Sequence, residues 1–496
     1  MTYKSIFLAW GAAAVLPVCA SAALEEEEST QVRNVVLIFM DDQGKDLSYL
    51  GTAGLSTPNL DRLIGQGVYF SNAYGTCASC APSRSSILTG MYPHSHGHWR
   101  NTTTPTFNHP DSDFGRESTM LDEVRIHESI TTLNEILEDH GYFTGITHKF
   151  HLSPPWKFPF ESRVPVKHDH EEFERVISQM IEESGERPFF IKANIEPPHR
   201  SFRTKPYFWN LFEDGTLYDP DVDAIEVPDY MPDIQKVRDD LQEYYASVQV
   251  SDACAGGILR ALEKSGRLHD TLVIYSSDNG MPMYRAKASA YPAGTHMPLA
   301  FAGPGIKSGQ VCDQVVSLAD LMPTMLDALG LPTPSTVQGE SLWPWLSGNG
   351  ALPDRDYVFT EFNSHGAIPN AEGTDLLEAF PQRAVTDGRW YYILNLDPTK
   401  PQTMPDDLIG AGVWRNEAYP AILAAAEDYP EKVKLLTDMI EGRRPAEELY
   451  DLKSDPWAMN NLAGDPAHAE KLEKLRNLVN ERRERHGDIQ RSVMEF

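Results

Sequence analysis

One short stretch brings a reactive side chain, an anion site and a fixed cation together: Cys80-Ala81-Pro82-Ser83-Arg84-Ser85-Ser86-Ile87-Leu88-Thr89-Gly90. Ser79 or Cys80 suits a helix cap, Pro82 a first turn and Gly90 an end, so a short helix is predicted with Cys80 at its N-terminus. The positive end of the helix dipole favours a bound anion there, and Arg84, one turn on, returns a cation to the same spot. Two other readings compete. A lone cysteine beside a turn is more often a buried structural residue. Cys77-Ala78-Ser79-Cys80 also matches C-x-x-C, which at a helix start acidifies a thiol for redox work.

Polar clusters elsewhere follow apolar runs. Asn34–Met40 stops at Asp41-Asp42, and Thr271–Tyr275 at Ser276-Ser277-Asp278-Asn279-Gly280. Pro188–Ala193 leads to Glu196-Pro197-Pro198-His199, and Gly145–Thr147 to His148-Lys149-Phe150-His151. Asp41, Asp42, Asp278 and Asn279 offer the oxygen ligands that a hard cation such as Ca²⁺ takes, whereas Zn²⁺ prefers His and Cys. Alone, an aspartate pair after a strand is a cap or turn; two such clusters joined to Cys80 favour a cation. Lys149, His151, His199 and Lys287 are candidates for anion contacts and proton transfer.

C-x-P-S-R followed by L-T-G at residues 80–90 resembles the signature of the type I sulfatases. The resemblance extends through Asp41-Asp42-Gln43-Gly44, Ser277-Asp278-Asn279-Gly280, Lys149-Phe150-His151, Pro198-His199 and Lys287. Gly294–Leu299, Glu448–Leu452, Asp455-Pro456 and Asn461-Leu462 carry it to the end of the chain. Pro197–Arg200 and Asn279–Pro282 look most like the N-sulfoglucosamine sulfohydrolase branch. One departure stands out: Thr147-His148-Lys149 replaces the more usual G-K lead-in.

The resemblance implies an alkaline phosphatase-like fold and hydrolysis of sulfate esters or sulfamates on a sulfated saccharide. It implies that Cys80 is oxidised to formylglycine (3-oxoalanine) by a formylglycine-generating or sulfatase-maturating enzyme. One Ca²⁺ would sit between Asp41, Asp42, Asp278, Asn279 and the modified Cys80. Arg84, Lys149 and Lys287 would spread charge over sulfate, His199 would protonate the leaving group, and His151 would assist the hydrate. Arg200 and Arg285 are further candidate contacts, and Glu361, His365 and Arg383 are candidates for the sugar. A phosphodiester or phosphonate monoester hydrolase shares part of the signature, and a non-catalytic glycan-binding protein would leave Cys80 unmodified.

The elements that must position these groups follow from periodicity. Continuous apolar runs suit strands buried on both faces of a sheet. Ser56–Gly67, Ser129–His140 and Asp239–Lys264 carry apolar residues at helical spacing. Their alternation predicts an α/β fold with a large, mostly parallel sheet flanked by helices, and ligands beyond the carboxyl ends of its strands. Ser347–Gly350 and Pro353 read as a linker, giving a catalytic unit at 30–350 and a smaller α+β unit at 355–496.

Composition narrows the partners. With 41% hydrophobic and 23% charged residues the chain is an ordinary globular one. Its net charge of −29 argues against nucleic acid, because phosphate binding needs a basic face. An anionic substrate must therefore enter a locally basic pocket on a repelling body. Lys4, the run Ile6–Val18 and Ala20-Ser21-Ala22 read as a signal peptide over residues 1–22, too short to be a membrane span. The mature chain would be exported, periplasmic or secreted. Four cysteines would remain, too few for disulfides to hold the fold.

Overall fold

The computed structural model describes residues 31–488 apart from 102–123, 167, 201, 203–219, 221, 367, 370–374, 377–379, 403 and 411–415. The signal peptide expected at residues 1–22 lies outside these.

An eight-stranded sheet runs in the order Gln310–Cys312, Val68–Phe70, Leu299–Ala302, Thr271–Ser277, Asn34–Met40, Phe189–Ile195, Phe143–Thr147, Ser162–Val164. Leu299–Ala302 alone among these runs against its neighbours. Asn34–Met40 lies in the middle and explains why its sequence does not alternate. Val35, Leu37 and Phe39 enter one apolar layer, with Leu133, Leu137, Met322 and Leu326. Val36, Ile38 and Met40 enter the opposite layer, with Val176, Met180 and Ile258. Helices over His170–Ser184 and Gln235–Lys264 cover that second face. The mostly parallel, helix-flanked sheet expected from the sequence is present.

Strand register sets the site. Met40 pairs with Ile195 on one side and Ser277 on the other. The next residues along each chain, Asp41, Glu196 and Asp278, therefore emerge side by side at one carboxyl edge. The Cys80–Thr89 helix points its N-terminus at the same edge, and every residue in it is buried. It ends at Gly90, whose φ of 64° is left-handed and whose N–H closes on Ser86 O.

A second, antiparallel sheet in the order Val358–Phe362, Gln382–Thr386, Trp390–Asn395, Glu447–Asp451 follows. Its strands alternate between two faces. Tyr392 and Leu449 meet Leu472, Leu475 and Val479 of the Ala469–Arg485 helix. Tyr391, Ile393 and Tyr450 turn the other way, toward Tyr74 and Tyr291. Thr360 Oγ1 donates to Gly75 O and Glu361 N to Thr76 O, so this sheet grips the segment that leads into Cys80. No helix among the described residues is long and apolar enough to cross a membrane.

Gly280 follows Asn279 where two backbones nearly touch: a Cβ there would lie 1.9 Å from Ala293 O. Gly280→Ala is expected to cost about 1–3 kcal/mol through overpacking, read as a fall in Tm, and to lower activity through displacement of Asn279.

Candidate active site

Asp41, Asp42, Asp278 and Asn279 are all fully buried. Asp42 holds a φ of 67°, a left-handed conformation that aspartate tolerates better than most residues, and its N–H donates to Asp278 Oδ1. That bend turns Asp41 and Asp42 toward Cys80, whose Sγ lies 3.5 Å from Asp41 Oδ1 and 3.9 Å from Asp42 Oδ1. Ligand atoms of Asp41, Asp42, Cys80 and His199 fall within 4.8 Å of one another.

Each carboxylate has a cation. Lys149 Nζ lies 2.6 Å from Asp41 Oδ2, Lys287 Nζ 2.7 Å from Asp42 Oδ2, and Arg84 Nη2 2.8 Å from Asp278 Oδ2. Burial works to raise the Asp41 carboxyl, but Lys149, His199, Arg84 and Lys287 together hold it well below the usual range. Asp42 goes the other way. Burial pushes it up to about 7 against the pull of Lys287, and Asp41, Asp278 and Asp407 add repulsion. Burial and Asp41 likewise raise Asp278 against Arg84.

These residues fit a divalent cation. Asn279 Oδ1 is buried without a hydrogen-bond partner among the described residues, while its Nδ2 donates to Asp42 Oδ1 at 2.8 Å. A buried, unpartnered oxygen beside crowded carboxylates is a donor set for a hard cation. Asp278 is the most committed member, accepting from Arg84 Nε and from the N–H groups of Asp42 and Asn279.

The cysteine itself departs from expectation. Burial drives the Cys80 thiol well above its ordinary range, and Asp278 and Asp41 add to that against Lys149 and Lys287. Here desolvation outweighs the helix dipole. Cys77 is raised by burial too, and both are free thiols, so the redox-pair reading has no support in the geometry.

His199 Nδ1 lies 2.5 Å from Arg200 O and its Nε2 lies 3.2 Å from Lys287 Nζ. Burial, then Lys287 and Lys149, lower it to about 3. A neutral ring with Nδ1–H given to the carbonyl turns its Nε2 lone pair into the site. His151 is lowered for the same reasons, burial first and then Lys149 and Arg84. His365 joins them: its Nδ1 lies 3.1 Å from Ser79 Oγ, on the residue before Cys80.

Arg200 and Arg383, expected to contact substrate, are each held by other side chains instead of facing Cys80. Arg200 is 1% exposed and holds Asp240 with both terminal nitrogens at 2.5 Å. It ties the His199 loop to the Gln235–Lys264 helix. Arg383 gives Nε and Nη2 to Asp488, and Nη1 to Asn363 and the Gln382 carbonyl. Glu361 is occupied by His94, at 2.7 Å from Nδ1, and Arg285 by the Ala458 carbonyl and the Tyr291 ring.

Asn101 and Asp407 went unseen in the sequence. Asn101 Oδ1 accepts from Ala81 N at 2.8 Å, so the helix is capped from outside while Ser79 Oγ donates to that same oxygen. Asp407 Oδ2 lies 2.6 Å from Lys287 Nζ. Neither carries a motif; Asp407 sits 120 residues from the lysine it holds.

A model described as sulfatase matches residues 33–331. The chain belongs to the sulfatase family and is a sulfuric ester hydrolase. Human N-sulphoglucosamine sulphohydrolase is 29% identical to it, over 90% of this chain and 88% of that protein. An ulvan-active sulfatase of Formosa agariphila is 26% identical, over 91% and 76%. A solved structure in complex with its substrate D-glucosamine-2-N,6-O-disulfate matches with a TM-score of 0.62 at 20% identity, over 93% of this chain and 99% of that one. A phosphonate monoester hydrolase of Agrobacterium radiobacter gives 0.64 at 18% identity, over 92% and 96%. These two structural likenesses establish the fold.

The site sets a pH dependence. A folded carboxyl raised from 3.8 to about 7 costs stability as pH climbs through that window, because the unfolded chain ionises freely. Where a cation such as Ca²⁺ binds through Asp42, protons compete with it, and half-saturation is expected to need about tenfold more ion per pH unit below about 7. Calcium titrations followed by Tm between pH 5 and 8 check this; a pH-independent midpoint would contradict a cation held by an Asp42 carboxyl raised to that range.

Breaking a buried pair costs about 3–5 kcal/mol. Arg200→Ala is therefore expected to lower Tm markedly, with KM for any surviving activity unchanged.

Proposed function

We propose that the chain removes sulfate from a sulfated carbohydrate through a formylglycine made from Cys80 and one Ca²⁺. The observation that carries this is the meeting of Cys80 with Asp41, Asp42 and His199 inside 4.8 Å, at a helix N-terminus ringed by Arg84, Lys149 and Lys287. The unmodified thiol is a poor nucleophile here, since burial keeps it protonated. The formylglycine hydrate would supply an oxygen nucleophile, and Ca²⁺, on Asp41, Asp42, Asp278, Asn279 and residue 80, Lewis acidity.

This chain's own groups do the rest. Arg84, Lys149 and Lys287 present three fixed positive charges to a sulfate at residue 80, where charge grows in the transition state. Their ion pairs with Asp278, Asp41 and Asp42 keep them charged and placed before substrate arrives. Burial removes competing water and strengthens these contacts. His199 Nε2, held toward Lys287 by the Nδ1 contact to Arg200 O, is placed to pass a proton to the leaving group. Burial first, then Lys287 and Lys149, depress this histidine, so its Nε2 must take up a proton, with a bound sulfate offsetting the lysines' repulsion, before it acts as the acid. His151, on the loop after Lys149, would serve residue 80.

Human N-sulphoglucosamine sulphohydrolase, the ulvan-active sulfatase and the disulfated glucosamine complex support a sulfated saccharide as substrate. His365, whose Nδ1 meets Ser79 Oγ and whose Nε2 meets Asn101 Nδ2, both at 3.1 Å, is the sugar candidate that reaches the residue before Cys80 and would meet the sugar with its ring edge. The division into units 30–350 and 355–496, an exported location and modification by a maturating enzyme belong to the same proposal.

Cys80→Ala is expected to fold with unchanged Tm and to lose at least about 10³-fold in activity, as loss of a nucleophile does. His365→Ala is expected to raise KM for a sulfated monosaccharide at least about tenfold while leaving aryl sulfate turnover near normal, the sign of a lost uniform contact. A panel of O- and N-sulfated saccharides, with an aryl phosphodiester beside them, measures both. Turnover of the phosphodiester above every sulfate would overturn the proposal.

A further inference from the structure

His148, His168 and Glu196 form a second cluster of metal-ligand atoms, separate from the one around Cys80. Glu196 Oε2 lies 2.9 Å from His148 Nε2 and 3.0 Å from His168 Nε2. The two rings stand nearly edge to face, 4.5 Å between centroids, with both Nε2 atoms turned onto one carboxylate oxygen. The three residues come from three segments: the turn after Phe143–Thr147, the approach to the His170–Ser184 helix, and the turn after Phe189–Ile195.

We propose that this triad binds one divalent d-block cation, Zn²⁺ by its ligand chemistry. Two imidazoles and a carboxylate suit Zn²⁺ and its neighbours, whereas Ca²⁺ requires an oxygen shell. A tetrahedral ion about 2.1 Å from each ligand spaces the ligand atoms about 3.4 Å apart. The two Glu196–imidazole spacings, 2.9 and 3.0 Å, open to that value by about half an ångström, and all three ligand atoms lie within 4.8 Å of one another. The His168 side chain, 1% exposed, forms the closed wall, while His148 at 26% and Glu196 at 17% leave an open side for a water as fourth ligand. Both Nε2 atoms lie within hydrogen-bond reach of Glu196 Oε2, and for a metal to take them each neutral ring would carry its proton on Nδ1 instead.

The position gives the ion a task. His148 adjoins Lys149, and Glu196 lies three residues before His199. Lys149 sits 2.6 Å from Asp41, and His199 faces Lys287. The ion would clip the two loops that carry these groups and hold them at fixed separation, without touching sulfate. The proposal does not depend on the chemistry assigned to Cys80.

The backbone provides a clean variant. His148 has a φ of 49°, a conformation glycine adopts without strain, so His148→Gly removes one ligand without disturbing the chain. Full-length protein is stripped with EDTA, reloaded with excess Ca²⁺ and titrated with Zn²⁺, with stoichiometry by elemental analysis and thermal unfolding in parallel. Wild type and Cys80→Ala are each expected to take up one Zn²⁺ per chain and to gain Tm. His148→Gly and His168→Ala are expected to bind it more than about 100-fold more weakly, since outer-sphere partners alone change affinity 10–100-fold. Co²⁺ is expected to give tetrahedral visible bands in wild type and Cys80→Ala and none in His148→Gly. No uptake by wild type, or uptake kept in His148→Gly and lost in Cys80→Ala, would overturn the proposal.

Discussion

The buried exchange of charge between Asp41, Asp42 and Asp278 and the cations Lys149, Lys287 and Arg84 is what the rest of the structure depends on. Unpaired carboxylates at that depth would neutralise themselves, and unpaired lysines would do the same from the other side. Together they hold Asp41 and the cations ionised, as the depressed Asp41 and the well-raised Lys287 indicate, while Asp42 and Asp278, crowded by their neighbours, are raised. Such a cluster is expensive to bury, and hydrophobic packing of the same volume would often be as stable. What it provides is a placed set of negative charges for a cation and of positive charges for an anion, meeting at one residue.

The sheet makes that possible. Asn34–Met40 is buried on both faces, so its register against Phe189–Ile195 and Thr271–Ser277 is fixed by apolar packing rather than by the polar residues beyond it. Asp41, Glu196 and Asp278 then have no choice of position. The antiparallel sheet contributes from outside, through Thr360 and Glu361 on the Gly75-Thr76 backbone and His365 on Ser79. The Cys80–Thr89 helix is thus held by its sequence neighbours and by strands nearly three hundred residues away.

Much of this was legible in the sequence. Apolar runs ending on Asp41-Asp42 and on Asp278-Asn279 announced a parallel sheet with chemistry at one edge, and the Asn34–Met40 strand has the bounds its composition suggests. Periodicity shows which face is buried, not which distant side chain completes a pair. Arg200 beside His199 had the look of an anion contact until Asp240, on another helix, took both its arms. Asp407 and Asn101 lie where no local pattern points, and their roles exist only through tertiary contact. The high Cys80 thiol was hidden for the same reason: a helix N-terminus is visible in sequence, while the depth of its burial is not.

The central claim is that Cys80 works only after it ceases to be a cysteine. It is tested most directly by mass spectrometry of the peptide spanning residues 77–84 in preparations matured to different extents, each assayed on the same sulfated substrate. The expected result is activity in proportion to the formylglycine fraction, extrapolating to zero at none. Full activity in protein whose Cys80 is entirely thiol would contradict it.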